Sequence, residues 1–150
     1  MKTIKIHLTG FMSLLILSGV TAFPIQTEIN YLFKNKNVFP QFMIDWIDKL
    51  YSIIHQTPDI MFYGTDWLAF AHIIIALFFI PVFIDPVKHK VNIIIGMIAC
   101  LLVFPLAFIC GPIRGIPFFH QLIDCSFGVI GIIYLYFILN KINHLKENKL

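Results

Sequence analysis

Between Trp67 and Asn140 the chain carries only five formal charges: Asp85, Lys88, Lys90, Arg114 and Asp124. Three of them share one short connection. Arg114 and Asp124 stand in or beside a second, residues 111–124. Elsewhere in this stretch the residues are almost continuously apolar. A soluble fold of 150 residues cannot hide such a sequence: 59% of residues are hydrophobic and 13% are charged. Ordinary soluble domains are about 45–50% apolar and about 25% charged. A lipid-facing surface has no such limit. The chain therefore reads as an all-α membrane protein, with residues 1–150 forming a single integral membrane domain.

Crossing roughly 30 Å of hydrocarbon takes about 20 apolar residues in a helix. Residues 91–110 meet this without a charge, and residues 67–84 nearly do, with Trp67 suited to the interface. The last helix needs a start near Pro117, a favoured first helical position, to be long enough. The spacing thus predicts spans at about 8–23, 67–84, 91–110 and 118–140. Residues 8–23 carry two readings. Lys2 and Lys5 precede the apolar run, and Val20-Thr21-Ala22 resembles a cleavage site, so a removable signal peptide would leave three spans. An uncleaved first span gives four. Pro81 and Pro105 are expected to bend their helices.

The basic residues fall in three groups: Lys2 and Lys5; Lys88 and Lys90; Lys141, Lys146 and Lys149. With four spans all three lie on one side, which the positive-inside tendency assigns to the cytoplasm. This predicts a multi-pass protein of the cytoplasmic (inner) membrane, with the C-terminus and any uncleaved N-terminus inside. Residues 24–66 and the 111–117 connection then face outward. The net charge of +3 follows this topology and does not form a Lys/Arg stripe with interleaved aromatics, so no nucleic-acid partner is expected. The lipid bilayer is the expected partner, alongside a protein partner or a homo-oligomer.

Residues 24–66 form the only long polar connection, and 41–56 read there as an amphipathic helix. Gln41, Asp45, Asp48, Ser52 and His55 fall on one side. Phe42, Met43, Trp46, Ile47, Leu50, Tyr51 and Ile54 fill the other. Pro40 can open this helix and Pro58 can help to end it. The helix suits a lid lying on the membrane surface or packed over the bundle better than a lipid sensor, since it sets Asp45 and Asp48 against Lys49 where sensors are rich in Lys/Arg.

Four polar residues in or beside the spans form a candidate site: His72, Arg114, His120 and Asp124. Gly111, Pro112, Gly115 and Pro117 predict an irregular chain between the last two spans. Arg114 in that loop offers a planar fork of donors for a carboxylate or phosphate. Asp124 is its natural internal partner, because a lone carboxylate at a span centre costs about 2.5–3.5 kcal/mol on insertion scales. His120 and Asp124 are four apart and share a helical face, which Gly128 and Gly131 continue toward a neighbouring helix. His72 lies roughly 7.5 Å deeper than Trp67 at the usual helical rise, on an Ala69/His72/Ala76 stripe. Two readings stand for these four residues. One is an outward-facing polar site holding a lipid phosphate or other anion, with His120 moving a proton. The other is a set of internal ties.

Cys100, Cys110 and Cys125 are too scattered for a metal framework or disulfide scaffold, although Cys110 and Cys125 fall on the side where a bridge could survive. Cys100 and Gly96 make a small-residue pair suited to helix packing. No nucleotide, haem or zinc motif occurs, so no metal and no cofactor is expected.

The stretches Tyr63-Gly-Thr-Asp-Trp-Leu-Ala-Phe-Ala-His72 and Gly111-Pro-Ile-Arg-Gly-Ile-Pro-Phe-Phe-His-Gln-Leu-Ile-Asp-Cys-Ser-Phe-Gly128 resemble those of a family of small bacterial integral membrane proteins with no assigned activity. The resemblance covers about half the chain, from Tyr63 onward. It implies the membrane class and carries over no activity, ligand or partner. Three functions remain in competition: a non-catalytic accessory or envelope component, a transporter or proton/ion-conducting subunit, and an enzyme acting on a lipid headgroup at the extracytoplasmic interface.

Overall fold

A computed structural model describes residues 1–147, with side chains as far as Leu145. The topological roles expected of Lys146 and Lys149 therefore fall outside the described side chains. In chain order the elements are α1 (Lys2–Ala22), α2 (Ile25–Lys34), a tight turn Lys36–Val38, α3 (Gln41–Gln56), a tight turn Asp59–Met61 and α4 (Phe62–Leu77). There follow α5 (Ile80–Ile84), α6 (Lys90–Pro105), a π-turn Leu106–Cys110, α7 (Gly111–Ile113) and α8 (Phe118–Glu147).

The chain is an all-α membrane protein. Four stretches are long and apolar enough to cross a bilayer: Lys2–Ala22, Asp59–Ile84, Lys90–Ile113 and Phe118–Leu145. The shortest has 21 residues, which at the usual rise makes about 31 Å, the thickness of the hydrocarbon. Two compact units divide the chain: Met1–Leu14 with Ile75–Leu150, and Leu15–Ile74.

The first unit is organised by α6 against α8. Within lipid there is little hydrophobic force to drive helices together, so close approach of backbones must supply the attraction. Glycines provide it. A Cβ at Gly128 would stand 2.8 Å from the Cys100 carbonyl oxygen, and one at Gly131 would stand 2.5 Å from Cys100 Sγ. Across the interface, a Cβ at Gly96 would meet Phe79 at 2.7 Å and Leu135 at 2.9 Å. The small residues on α8 thus face a neighbouring helix as their spacing predicts. Ile93, Leu135, Ile138 and Ile142 are buried in this unit. The first turns of α1 belong to it too: Leu8 is buried, Gly10 lies under the Tyr134 ring, and Phe11 meets Phe79 edge-on at 5.1 Å.

Pro81 interrupts its span rather than merely bending it. Proline removes the hydrogen bond to the carbonyl four residues back and clashes with it. That carbonyl belongs to Leu77, where α4 ends. The backbone tightens there, with Phe78 N donating to Ile75 O and Phe79 N to Ala76 O, before α5 resumes. Such breaks within a membrane survive only where neighbours satisfy the released polar groups. Asn92 of α6 does so: its Nδ2 donates to Phe78 O at 2.6 Å. After Pro105 the second interruption takes the form of the π-turn.

In the second unit, α2 and α3 form a helical hairpin. The sequence pattern predicts only α3, and α3 spans the expected residues, with Pro40 before it and Pro58 just beyond its end. The additional helix α2 has a legible cause in Ile25, Ile29, Leu32 and Phe33, which recur on one face. Glu28 in its first turn and Lys34 in its last suit the helix dipole. Ile29, Trp46, Ile47 and Ile54 are buried. The Phe33 and Tyr51 rings stack at 3.7 Å. Lys36 lies 4.3 Å from the Phe33 ring centre and donates to Asp48. Phe42, expected on the apolar side, is 55% exposed. Also in this unit, Gly19 of α1 lies against α4, where a Cβ would stand 2.5 Å from Ala69 O and 3.0 Å from His72 Cβ.

Candidate functional site

The chain from Gly111 to Asp124 carries three of the four candidate residues, and its backbone differs from expectation. Gly111 and Pro112 do not break the helix. The helix continues through the π-turn into α7, and Pro112 stands directly after that turn. The irregular stretch is only 114–117. Gly115 reverses the chain with a φ of +67°, a conformation that glycine adopts without strain. Gly115 N donates to Pro112 O, and Ile116 N donates to Gly111 O at 2.9 Å. Pro117 stands just before α8 and not within it, and its carbonyl accepts His120 N and Gln121 N.

Gln121 holds this turn closed. It is the buried polar side chain of the described residues, 4% exposed, and its Nε2 donates to Ile116 O at 2.7 Å. Its side chain lies against Gly111, where a Cβ would stand 2.7 Å from Gln121 Cδ. A larger residue at 111 would therefore displace the Gln121 amide. An amide between two helix ends satisfies backbone that would otherwise lie unpaired near hydrocarbon.

Arg114 follows α7 and is exposed. The expected Arg114–Asp124 tie is not formed; among the described residues Arg114 has no ion-pair partner. Arg114 ends α7 outside the apolar spans, where a guanidinium stays solvated without a carboxylate. Asp124 instead faces His120 within α8, with His120 Nε2 3.9 Å from Asp124 Oδ1. The side chains are 37% and 47% exposed. At that distance the contact is electrostatic and depends on a protonated imidazole.

His72 belongs to the Leu15–Ile74 unit, whereas Arg114, His120 and Asp124 belong to the other. Its Nδ1 lies 2.8 Å from Leu68 O, one turn back on α4, so this nitrogen serves its own helix. Cys100, Cys110 and Cys125 are unbridged thiols; Cys110 is exposed and Cys125 buried. No group of three His, Cys, Asp or Glu side chains among the described residues is arranged to hold a metal ion.

Two polar residues important to the architecture, Asn92 and Gln121, escape the sequence analysis, which attends to ionisable groups. The available signal was an uncharged amide inside an otherwise apolar run near a proline. In comparison with known proteins, the chain matches no family model, no curated protein and no solved structure.

Proposed function

We propose that this chain is a non-catalytic accessory or envelope component of a bacterial cytoplasmic (inner) membrane, working through a protein partner or a second copy. One observation carries this reading: the polar side chains in and beside the spans serve the scaffold. Asn92 holds Phe78 O, Gln121 holds Ile116 O, His72 faces Leu68 O and Ser126 donates to Ile123 O. Arg114, exposed in the 114–117 turn, is then a point of contact with the partner. Both termini lie on the cytoplasmic side, following the three basic groups, and α1 is retained as the first span. Its packing supports retention, since Leu8, Gly10 and Phe11 are part of the first unit.

A second reading, an enzyme acting on a lipid headgroup, draws on Arg114 as an anion clamp and the His120–Asp124 pair as an acid/base. Alanine changes at His72, Arg114, His120 and Asp124 separate the functions. For an accessory component, Arg114→Ala lowers co-purification of a partner in mild detergent, while His120→Ala and Asp124→Ala do not. Accumulation of a lipid in His120→Ala cells establishes the enzyme instead, and loss of ion or solute flux at normal abundance establishes a transporter. An N-terminal sequence beginning at Phe23 removes the first span from the scheme.

A further inference from the structure

A basic end is built into the unit formed by Met1–Leu14 and Ile75–Leu150. Lys5 Nζ lies 5.1 Å from the Phe83 ring centre, which brings the start of α1 beside the 85–90 connection and its Lys88 and Lys90. A recess of about 160 Å³ opens between the first turn of α1 and the last turns of α8, lined by Met1, Thr3, Ile4, Lys141, His144 and Leu145. Lys2, Lys5, Lys88, Lys90 and Lys141 all belong to this unit and stand at or beside the ends of α1, α5, α6 and the apolar run of α8. Asp85 is the one carboxylate among the described side chains there, and it does not neutralise a lysine. Its Oδ1 accepts the backbone N–H of Val87 at 3.2 Å and of Lys88 at 3.1 Å. Lys141 has no carboxylate partner among the described residues. It is steadied instead by the Phe137 ring, 5.4 Å from its Nζ, against which His7 also stacks at 4.6 Å.

We infer that this recess binds the phosphate of an anionic phospholipid headgroup, with Lys141 as the principal charge and Thr3 and His144 lining the site. Charge complementarity selects an anion: basic clusters at the ends of membrane helices attract acidic lipids by about 1 kcal/mol per lysine. Position selects a lipid over a soluble phosphate. The apolar run of α8 gives way at Asn140 to Lys141, Asn143 and His144, and that of α1 is preceded by Lys2 and Lys5, so the recess lies where hydrocarbon gives way to headgroups. Apolar surface continues from it into the bilayer, with Ile6 59%, Phe137 41% and Ile133 63% exposed to receive acyl chains.

The test is native mass spectrometry of the full chain released from nanodiscs of equal phosphatidylglycerol and phosphatidylcholine. The expected result is retention of phosphatidylglycerol over phosphatidylcholine, reduced about fivefold by Lys141→Gln and kept by Lys141→Arg. Equal retention of the two lipids overturns the inference, as does a folded Lys141→Gln variant that retains phosphatidylglycerol like the wild type. Complete displacement by millimolar glycerol phosphate assigns the recess to a soluble anion and overturns it too. Should Lys141→Gln fail to fold, as judged by circular dichroism, the selectivity between the two lipids on the unaltered chain decides.

Discussion

Two helix pairs in this molecule are held by different means. In α6 and α8, glycines allow a close approach: Gly128 lies against the Cys100 carbonyl and Gly131 against the small Cys100 side chain. In α2 and α3, large side chains fill the gap: Phe33 stacks on Tyr51, and Lys36 joins Asp48. The difference follows from the surroundings. Lipid tails are as apolar as leucine, so large apolar side chains gain little by meeting one another there, and close van der Waals approach must do the holding. Outside the apolar spans, removing aromatic surface from water is itself favourable.

The strongest way to break this contrast is to overfill the glycine contact. Gly128→Leu drives a side chain into the Cys100 carbonyl and is expected to destabilise by about 1–3 kcal/mol or more, read as a lowered unfolding midpoint in detergent. Gly64 is the internal control, because a Cβ there meets nothing within 4 Å. Gly64→Ala is expected to stabilise α4 by about 0.5–1 kcal/mol, and a loss comparable to that of Gly128→Leu would show that the glycines matter for some reason other than packing.

Next in size are the amides that serve broken backbone. Asn92→Leu leaves the Phe78 carbonyl without its partner and should cost about 0.6–1.7 kcal/mol in the membrane, with hydrogen exchange rising first around residues 78–82. A uniform rise across α6 and α8 would mean that Asn92 supports the whole pair and not the break.

In the hairpin, Tyr51→Ala removes the ring stack and should cost about 0.5–1.5 kcal/mol beyond its lost area. The smallest effect belongs to Lys36–Asp48, whose side chains are 25% and 44% exposed. Such a pair contributes about 0.2–1 kcal/mol and is screened by salt. Raising the ionic strength to 1 M should therefore loosen α2–α3 slightly, measured by protease sensitivity in 24–66, and leave α6–α8 unchanged. Equal salt sensitivity of both pairs would erase the contrast.

The four spans and α3 were legible because each rests on local pattern: a run of apolar residues, or a 3.6-residue period closed by Pro40 and Pro58. The helix α2 was legible in principle, since Ile25, Ile29, Leu32 and Phe33 keep the same period over a shorter stretch. The candidate site was less so. Opposite charges at Arg114 and Asp124 suggested a tie, but whether two side chains meet depends on where the Gly115 turn points them. Gln121 looked like one more polar residue in a helix start, and only the fold shows it closing that turn.

By itself the sequence determined that this is an all-α membrane protein, which stretches are apolar enough to cross a bilayer, and where α3 begins and ends. Those properties are sums over neighbouring residues: transfer of apolar side chains to lipid, and the requirement that backbone in lipid bond within its own helix. Tertiary structure alone decided how α6 meets α8, that Asn92 supports the break at Pro81, that Pro112 remains helical, and that Asp124 faces His120 instead of Arg114. The first two depend on distances between residues far apart in sequence. The absence of an Arg114–Asp124 tie depends on the direction of the Gly115 turn, whereas the His120–Asp124 contact itself follows from their i,i+4 spacing.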